Sequence, residues 1–279
     1  MAIDLKAARD FVYQNGTLWE RALFAYLFQG GSVERLQSCL RAYKNPDNGY
    51  GHALEHDLRC PESHPAALEF LLSVMVTFRI PPGDLLHGTA EWVEANQNED
   101  GSLRNPPALL DYPLAPWWTG DGGQTIPDSI VGNLMSYREM TDRVFENTLK
   151  WTAVNLTEER IRANDWLFMA YHAYDFYKNV VIAPDHDRLW TAAQENIVAC
   201  AEAARPDQYY QILRFVPDPT LKNLTHPQIP DVLVNKMLDH LETAQQPDGS
   251  WHDEHTLPQW YPYTTILVLF GLRNHKRLG

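Results

Sequence analysis

The chain has 279 residues, 44% of them apolar and 21% charged, a make-up that fits a globular protein and excludes a disordered one. Its net charge of −13 argues against partners that need a basic surface, such as nucleic acid or an anionic membrane. Three cysteines, Cys39, Cys60 and Cys200, with no Cys-x-x-Cys pair, suggest neither a disulfide framework nor a zinc-thiolate site. The first residues, Met-Ala-Ile-Asp-Leu-Lys, hold no apolar signal core, and the longest apolar stretch, near 266–272, is far short of the roughly 20 residues a spanning helix needs. These features predict a cytoplasmic protein with free thiols, no transmembrane segment and no nucleic-acid partner.

In chain order, helical periodicity predicts about twelve helices, at 4–14, 17–29, 33–44, 64–79, 83–97, 126–139, 142–155, 165–179, 185–203, 207–215, 230–245 and 259–274. Asp4, Ser32, Asp142 and Asp185 stand near N-cap positions, and Pro65, Pro127 and Pro230 fall in first turns. Strand-like alternation is nearly absent.

Three segments share one pattern: Leu40-Arg-Ala-Tyr-Lys-Asn-Pro-Asp-Asn-Gly-Tyr50, Trp92-Val-Glu-Ala-Asn-Gln-Asn-Glu-Asp-Gly-Ser-Leu103 and Leu241-Glu-Thr-Ala-Gln-Gln-Pro-Asp-Gly-Ser-Trp251. Each ends a helix, turns on Asp with Gly next or one residue later, and resumes with a large apolar side chain. Gly takes the left-handed conformation that stops a helix, and Asp bonds its own backbone to hold the turn. Gly49 to Gly101 is 52 residues and Gly101 to Gly249 is 148, close to three times 49. A weaker copy, Arg205-Pro-Asp-Gln-Tyr209, falls in the gap. Repeats of this length mean stacked helix pairs. The fold class expected is all-α: six hairpins closed into an (α/α)6 toroid or barrel, one domain over 1–279. The long loops 45–63, 98–125 and 216–229 then gather over one mouth of a central pocket.

The segment Gln245-Gln-Pro-Asp-Gly-Ser-Trp251 resembles the QW motif of squalene-hopene and oxidosqualene cyclases and the repeats of protein prenyltransferase β subunits. The chain as a whole resembles small bacterial proteins with prenyltransferase and squalene-oxidase repeats. They share segments like Asn45-Pro-Asp-Asn-Gly-Tyr-Gly-His-Ala-Leu-Glu-His-Asp-Leu-Arg59 and Ala115-Pro-Trp-Trp118. The resemblance implies the toroid and an apolar, aromatic-lined cavity. It carries over no mechanism: neither DxDD nor DDxxD occurs, and the cysteines do not map onto a prenyltransferase zinc site.

Candidate chemistry concentrates in His52-Ala-Leu-Glu-His-Asp-Leu-Arg59. Glu55 and Asp57 can sit in different environments, one raised in pKa to give a proton and one ionised, and are the expected catalytic pair. His52 and Arg59 are expected to bind substrate. The plainer reading is that these charges cap helix 64–79 and brace the loop. With His56 and with His252-Asp-Glu-His255 the same loop can also be read as a cation site, although solvated loop charges explain it as well; no metal or other cofactor is expected.

Trp117 and Trp118 follow Pro116 in a loop that Asp121-Gly-Gly123 can hinge as a lid over 104–125. On inner helices Trp166, Tyr171, His172 and Asp175, then Tyr210 and Arg214, then Trp260 and Tyr263, are expected to face the pocket, unless they are plain core. Three functions remain open: an acid/base enzyme of the terpenoid-cyclase-like group acting on an isoprenoid or other apolar small molecule; a carbohydrate-active toroid hydrolase or lyase; and a non-catalytic binding or scaffold toroid. The polarity of the pocket separates the first two. The state of Glu55 and Asp57 tests the third.

Overall fold

The computed structural model describes residues 3–118, 124, 125, 127–216, 218, 219 and 227–278. It is all-α. Among the described residues there are thirteen α-helices. They are α1 (Leu5–Asn15), α2 (Leu18–Phe28), α3 (Val33–Arg41), α4 (Pro65–Phe78), α5 (Thr89–Asn96), α6 (Asp128–Ser136), α7 (Asp142–Asn155), α8 (Glu158–Ala163), α9 (Leu167–Asn179), α10 (His186–Ala203), α11 (Tyr209–Ile212), α12 (Asp231–Thr243) and α13 (Tyr261–Asn274). Two-residue strands β1 (Leu103–Arg104) and β2 (Gln124–Thr125) pair antiparallel, Leu103 facing Thr125. No helix among the described residues is long and apolar enough to cross a membrane.

The expected helices are found within a few residues of their predicted ends, with three differences. α8 was not predicted, although Thr157 caps it by accepting the Arg160 N–H and Glu158 and Glu159 fill its first turn. The helix expected from 83 begins only at Thr89, because Gly88 takes φ +72° and the residues before it are turns. The helix expected over 207–215 is a short 3-10 turn, Pro206–Gln208, leading into the single turn of α11. Caps follow the expected chemistry in part. Asp4 accepts the Ala7 N–H at 2.8 Å and Ser32 accepts that of Arg35 at 3.2 Å. For α7 the cap is Thr141, with Asp142 one position inside.

The chain divides into two compact units. Unit 1 holds residues 1–39, 165–169 and 194–279, and unit 2 holds 40–164 and 170–193. In unit 1, α1, α2 and α13 pack on one another, and α11 and α12 pack on α13. In unit 2, α4 packs on α6, and α7 packs on α5 and α6.

The three repeated turns share one hydrogen-bond scheme. The Asn98 N–H donates to the Ser102 carbonyl (2.8 Å) and the Gly101 N–H to the Asn98 carbonyl (3.0 Å). Gln246, Gly249 and Ser250 repeat this at 2.8 and 2.9 Å, and Asn45, Asn48 and Gly49 at 2.9 and 3.0 Å. In each turn the Asp accepts the N–H two residues on at 3.0 Å: Asp100 from Ser102, Asp248 from Ser250 and Asp47 from Gly49. The equivalence corrects the sequence alignment by one residue. The left-handed position is Gly101 (φ +89°), Gly249 (φ +94°) and, in the first turn, Asn48 (φ +71°) rather than Gly49. Gly49 takes the place of the serine. The missing hydroxyl is supplied from elsewhere: Ser63 donates to Asp47 at 2.7 Å, as Ser102 does to Asp100 at 2.6 Å and Ser250 to Asp248 at 2.7 Å. In Arg205–Tyr209 the matching residue, Gln208, keeps φ −102°, so no left-handed turn forms there.

These turns are contact points as well as helix stops. A Cβ on Gly101 would lie 2.2 Å from the Asn147 carbonyl oxygen of α7, and one on Gly249 would lie 2.2 Å from the Ala7 carbonyl carbon of α1. The residue before each turn reaches onward too. Gln97 donates to the Gly101 carbonyl and to Thr148 of α7, while Gln245 donates to the Gly249 carbonyl and to the Asp4 carbonyl at 3.0 Å and accepts the Asp4 N–H at 2.8 Å. The turn nearest the C-terminus thus docks on the first helix of the chain.

At both glycines a Cβ meets backbone, which cannot swing aside, and φ is left-handed. Gly249→Ala is therefore expected to cost at least about 2 kcal/mol in urea unfolding, whereas Asn48→Gly, which keeps the left-handed turn accessible, stays within about 1 kcal/mol of the wild type. A Gly249→Ala protein as stable as the wild type would contradict this account of the turn.

Candidate active site

The loop after the first turn is built by close backbone approach. A Cβ on Gly51 would lie 2.3 Å from the Glu62 carbonyl oxygen, and Asn45 donates to the Pro61 carbonyl and the Ser63 hydroxyl at 3.0 Å each. His52 and Ala53 follow with φ +58° and +60°, a left-handed pair that reverses the chain. The reversal sends Leu54 and Glu55 inward. His52 itself stays exposed, its Nε2 2.8 Å from Asn45 Oδ1.

Glu55 lies deep in unit 2 yet keeps some accessible surface. Burial pushes its carboxyl well above the usual range, and the negative charges of Asp57 and Glu69 push the same way. The Asp57 N–H, donating to Glu55 Oε2 at 2.9 Å, opposes the shift without cancelling it. Asp57 is nearly buried and is held from the far loop: Trp117 donates its indole N–H to Asp57 Oδ2 at 3.0 Å. The backbone adds Ala115 N–H to the Asp57 carbonyl at 2.9 Å and Arg59 N–H to the Pro113 carbonyl at 3.0 Å. The segments 45–59 and 115–118, singled out separately in the sequence, therefore form one assembly.

Helices bring the rest. His64 caps α4, its Nδ1 accepting the Ala67 N–H at 3.2 Å. Burial pushes the His64 pKa down to about 4, which keeps the ring neutral and Nδ1 free to accept. α4 carries Glu69, the one charge in its apolar run. Gly132 lets α6 lie against α9, since a Cβ there would meet the Asp175 carbonyl oxygen at 2.4 Å. That approach pairs Asn133 Nδ2 with Asp175 Oδ2 at 2.9 Å and brings His172 Nδ1 to 2.8 Å from Asp128 Oδ1. Glu69 links the groups. It lies 3.5 Å from His172 Nδ1, accepts a short hydrogen bond from the Ser129 hydroxyl, and acts electrostatically on Glu55.

Asp128 is fully buried. Its Oδ1 accepts the Ser129 N–H at 2.7 Å, and its Oδ2 has no hydrogen-bond partner. In the tautomer that carries its proton on Nδ1, His172 donates to this buried carboxyl. Tyr171 stacks on the His172 ring at 4.3 Å and 22°. The arrangement supplies a carboxyl poised to give a proton and an imidazole oriented by a carboxylate, the two partners that acid–base catalysis needs.

Of the residues expected from sequence, unit 2 holds His52, Glu55, Asp57, Arg59, Trp117, Trp118, Tyr171 and His172, and brings Glu55 and Asp57 into direct contact and His172 within reach of Glu69. Arg59 is exposed, and Trp118 packs against Leu58, Cys60, Ala66 and Leu109. Unit 2 also holds His56 and Asp175, and unit 1 holds the others. Trp166 is exposed beside Phe168 at 5.1 Å; Tyr210 is half-buried, its oxygen accepting from Gln211; Arg214 lies just past α11; Trp260 meets Tyr263 edge-on at 6.1 Å, and Tyr263 meets the buried Trp19 at 6.3 Å. The proposed hinge Asp121-Gly-Gly123 lies outside the described residues. Among the described residues no group of three His, Cys, Asp or Glu side chains is gathered as a metal ion needs.

Glu69, Asp128 and Ser129 were not anticipated. Glu69 carried a signal, a lone carboxylate inside an apolar helix; Asp128, after Pro127, read as an ordinary helix start. Comparison with protein-family models finds no match to the chain, and comparison with curated proteins finds no relative.

The raised Glu55 carboxyl has a consequence for stability. Between the ordinary glutamate range and its raised folded value, the folded chain keeps a proton that the unfolded chain has lost, so stability falls as pH rises through that window. Glu55→Gln removes the loss. The variant is expected to match the wild type near pH 4 and to melt about 3 °C higher at pH 8. A difference that does not change with pH would sink this reading of Glu55.

Proposed function

We propose that the chain is an enzyme of proton transfer that acts on a hydroxyl-bearing small molecule, a carbohydrate in the first instance, at the unit 2 cluster. Glu55 is the general acid. His172, held by Asp128, is the general base, and Glu69 with Ser129 couples the two. The observation that carries the reading is Glu55 itself: a deep carboxyl with accessible surface, a raised pKa and no cation partner among the described residues. Carboxyls with perturbed pKa values cluster at functional sites, which favours an enzyme over a scaffold.

The surrounding groups bear on the substrate. Asp57, Glu69, Ser129 and His172 offer hydrogen-bond partners at close quarters. A sugar site needs many such groups, and an isoprenoid site needs few. The isoprenoid substrate implied by the family resemblance is therefore the weaker alternative, and the carbohydrate-active reading is preferred. For the scaffold we propose the closed (α/α)6 toroid. Its support is the turn at 245–251, which docks on α1 as the turn at 97–103 docks on α7 within unit 2, the arrangement a closed ring of repeats would have.

The test is a panel of mono- and oligosaccharides and of isoprenoid alcohols, scored by thermal shift and then by product formation. Sugars are expected to stabilise the wild type and to be turned over. Glu55→Gln is expected to lower kcat by about 10²–10⁴ while still binding, and His172→Asn to do the same. The rate should fall as pH rises past the point where Glu55 loses its proton. Stabilisation by isoprenoid alcohols alone would overturn the sugar reading, and full activity in Glu55→Gln would overturn the acid.

A further inference from the structure

A second polar cluster lies within unit 1, where the loop after the last repeated turn meets the residues that lead into α11. The stretch His252-Asp-Glu-His255, singled out in the sequence, supplies Glu254, whose side chain is 5% exposed. Two glutamine amides hold its carboxylate. Gln208 donates to Oε2 at 2.6 Å, and Gln211 donates to Oε1 through a short hydrogen bond. The same Gln211 nitrogen donates to the Tyr210 oxygen at 3.3 Å. A carboxylate partner fixes which end of the amide is nitrogen, so the other end, Oε1, is an acceptor. Gln211 is 9% exposed, and its Oε1 has no hydrogen-bond partner. A buried acceptor left unpaired is costly and calls for an explanation.

Three oxygens are gathered round this one amide: Gln211 Oε1, Glu254 Oε1 and the Tyr210 hydroxyl. Their surroundings are negative. Asp253 is 6% exposed, and its two oxygens accept the N–H groups of Leu257 at 2.8 Å and His255 at 3.0 Å. Burial pushes the Tyr210 phenol above its usual range, and the negative charges of Glu254 and Asp253 push the same way. Arg205 and His255 approach Glu254 at 3.7 and 3.6 Å, beyond hydrogen-bond length, from side chains 63% and 42% exposed. A primary ammonium matches this set, since it carries one positive charge and three N–H donors on a small head. Among the described residues no three His, Cys, Asp or Glu side chains are gathered as a metal ion needs, so an organic cation is the better fit. We infer that the unit 1 cluster binds the ammonium group of a primary amine, with Gln211 Oε1 as the acceptor that orients it and Glu254 as its counter-charge. Gln208 and Tyr210 are half-buried, so the cluster meets solvent at their edge. The inference is independent of the carbohydrate reading of Glu55.

The experiment titrates the wild type, Glu254→Gln, Gln211→Met and Glu55→Gln at neutral pH with n-butylamine, and with 1-butanol as its uncharged counterpart. Binding is read by calorimetry and by NMR of the glutamine side-chain amides. In the wild type butylamine binds and moves the Gln211 amide signal, while butanol leaves it in place. Glu254→Gln and Gln211→Met each weaken butylamine binding roughly tenfold or more, and Glu55→Gln leaves it unchanged. Circular dichroism shows that each variant keeps its fold. Should Gln211→Met not fold, the Gln211 amide is assigned through its backbone, and its response in the wild type decides the matter. A Gln211 signal that ignores butylamine, or that answers butanol equally, overturns the site. Full affinity in Glu254→Gln overturns it too, as does a loss confined to Glu55→Gln, which would put the amine in unit 2.

Discussion

A helix end can touch the backbone of the next helix only where no Cβ intervenes, and the repeated turns of this chain are built on that constraint. Gly101 and Gly249 each lie where a Cβ would reach 2.2 Å from neighbouring backbone, and both hold a left-handed φ that a side chain resists. The Asp just before each glycine locks the turn by accepting the N–H two residues on, and Gln97 and Gln245 fasten their turns to the elements they touch. The first turn reaches the same geometry by another route, with Asn48 in the left-handed position and Ser63 lending the hydroxyl its own sequence lacks. That loan draws 61–63 against the turn and sets the path of the loop that delivers Glu55.

The candidate site repeats the same logic of close approach. Gly132 allows α6 to meet α9, and from that contact come the Asp128–His172 and Asn133–Asp175 pairs. The loop carries Glu55 and Asp57 toward the same groups, where like charge and burial act together on Glu55. Burial is the largest of these effects, and the neighbouring charges add to it. Asp57 meanwhile keeps an indole N–H and its position.

The helices were legible because each buries one face and so writes a 3.6-residue period, and because Asp, Ser, Thr and Pro mark their starts. α8 escaped notice because six residues hold too few turns to show a period. The repeat was legible from Asp and Gly, but its register was not: Gly49 looks like the left-handed glycine, and only the backbone reveals Asn48 in that role. Glu55 and Asp57 stood out as a dense run of charge. Asp128 and Glu69 did not, because what makes them matter is a contact between helices far apart in sequence, and single-chain spacing carries no record of which helix faces are neighbours. His52, expected from the same run to bind substrate, is separated from Glu55 by the left-handed pair at 52 and 53, and its side chain turns out to Asn45.

The central claim is that Glu55 holds a proton which ordinary glutamates have lost. Carbon-13 NMR of the side-chain carboxyl, assigned with Glu55→Gln and followed from pH 3 to pH 9, measures this directly. The account predicts a titration well above the ordinary value of about 4.3 and a downward move of that titration in Asp57→Asn, which removes one of the charges that raise it. A Glu55 that titrates at the ordinary value in the wild type would contradict the account and remove the general acid from the site.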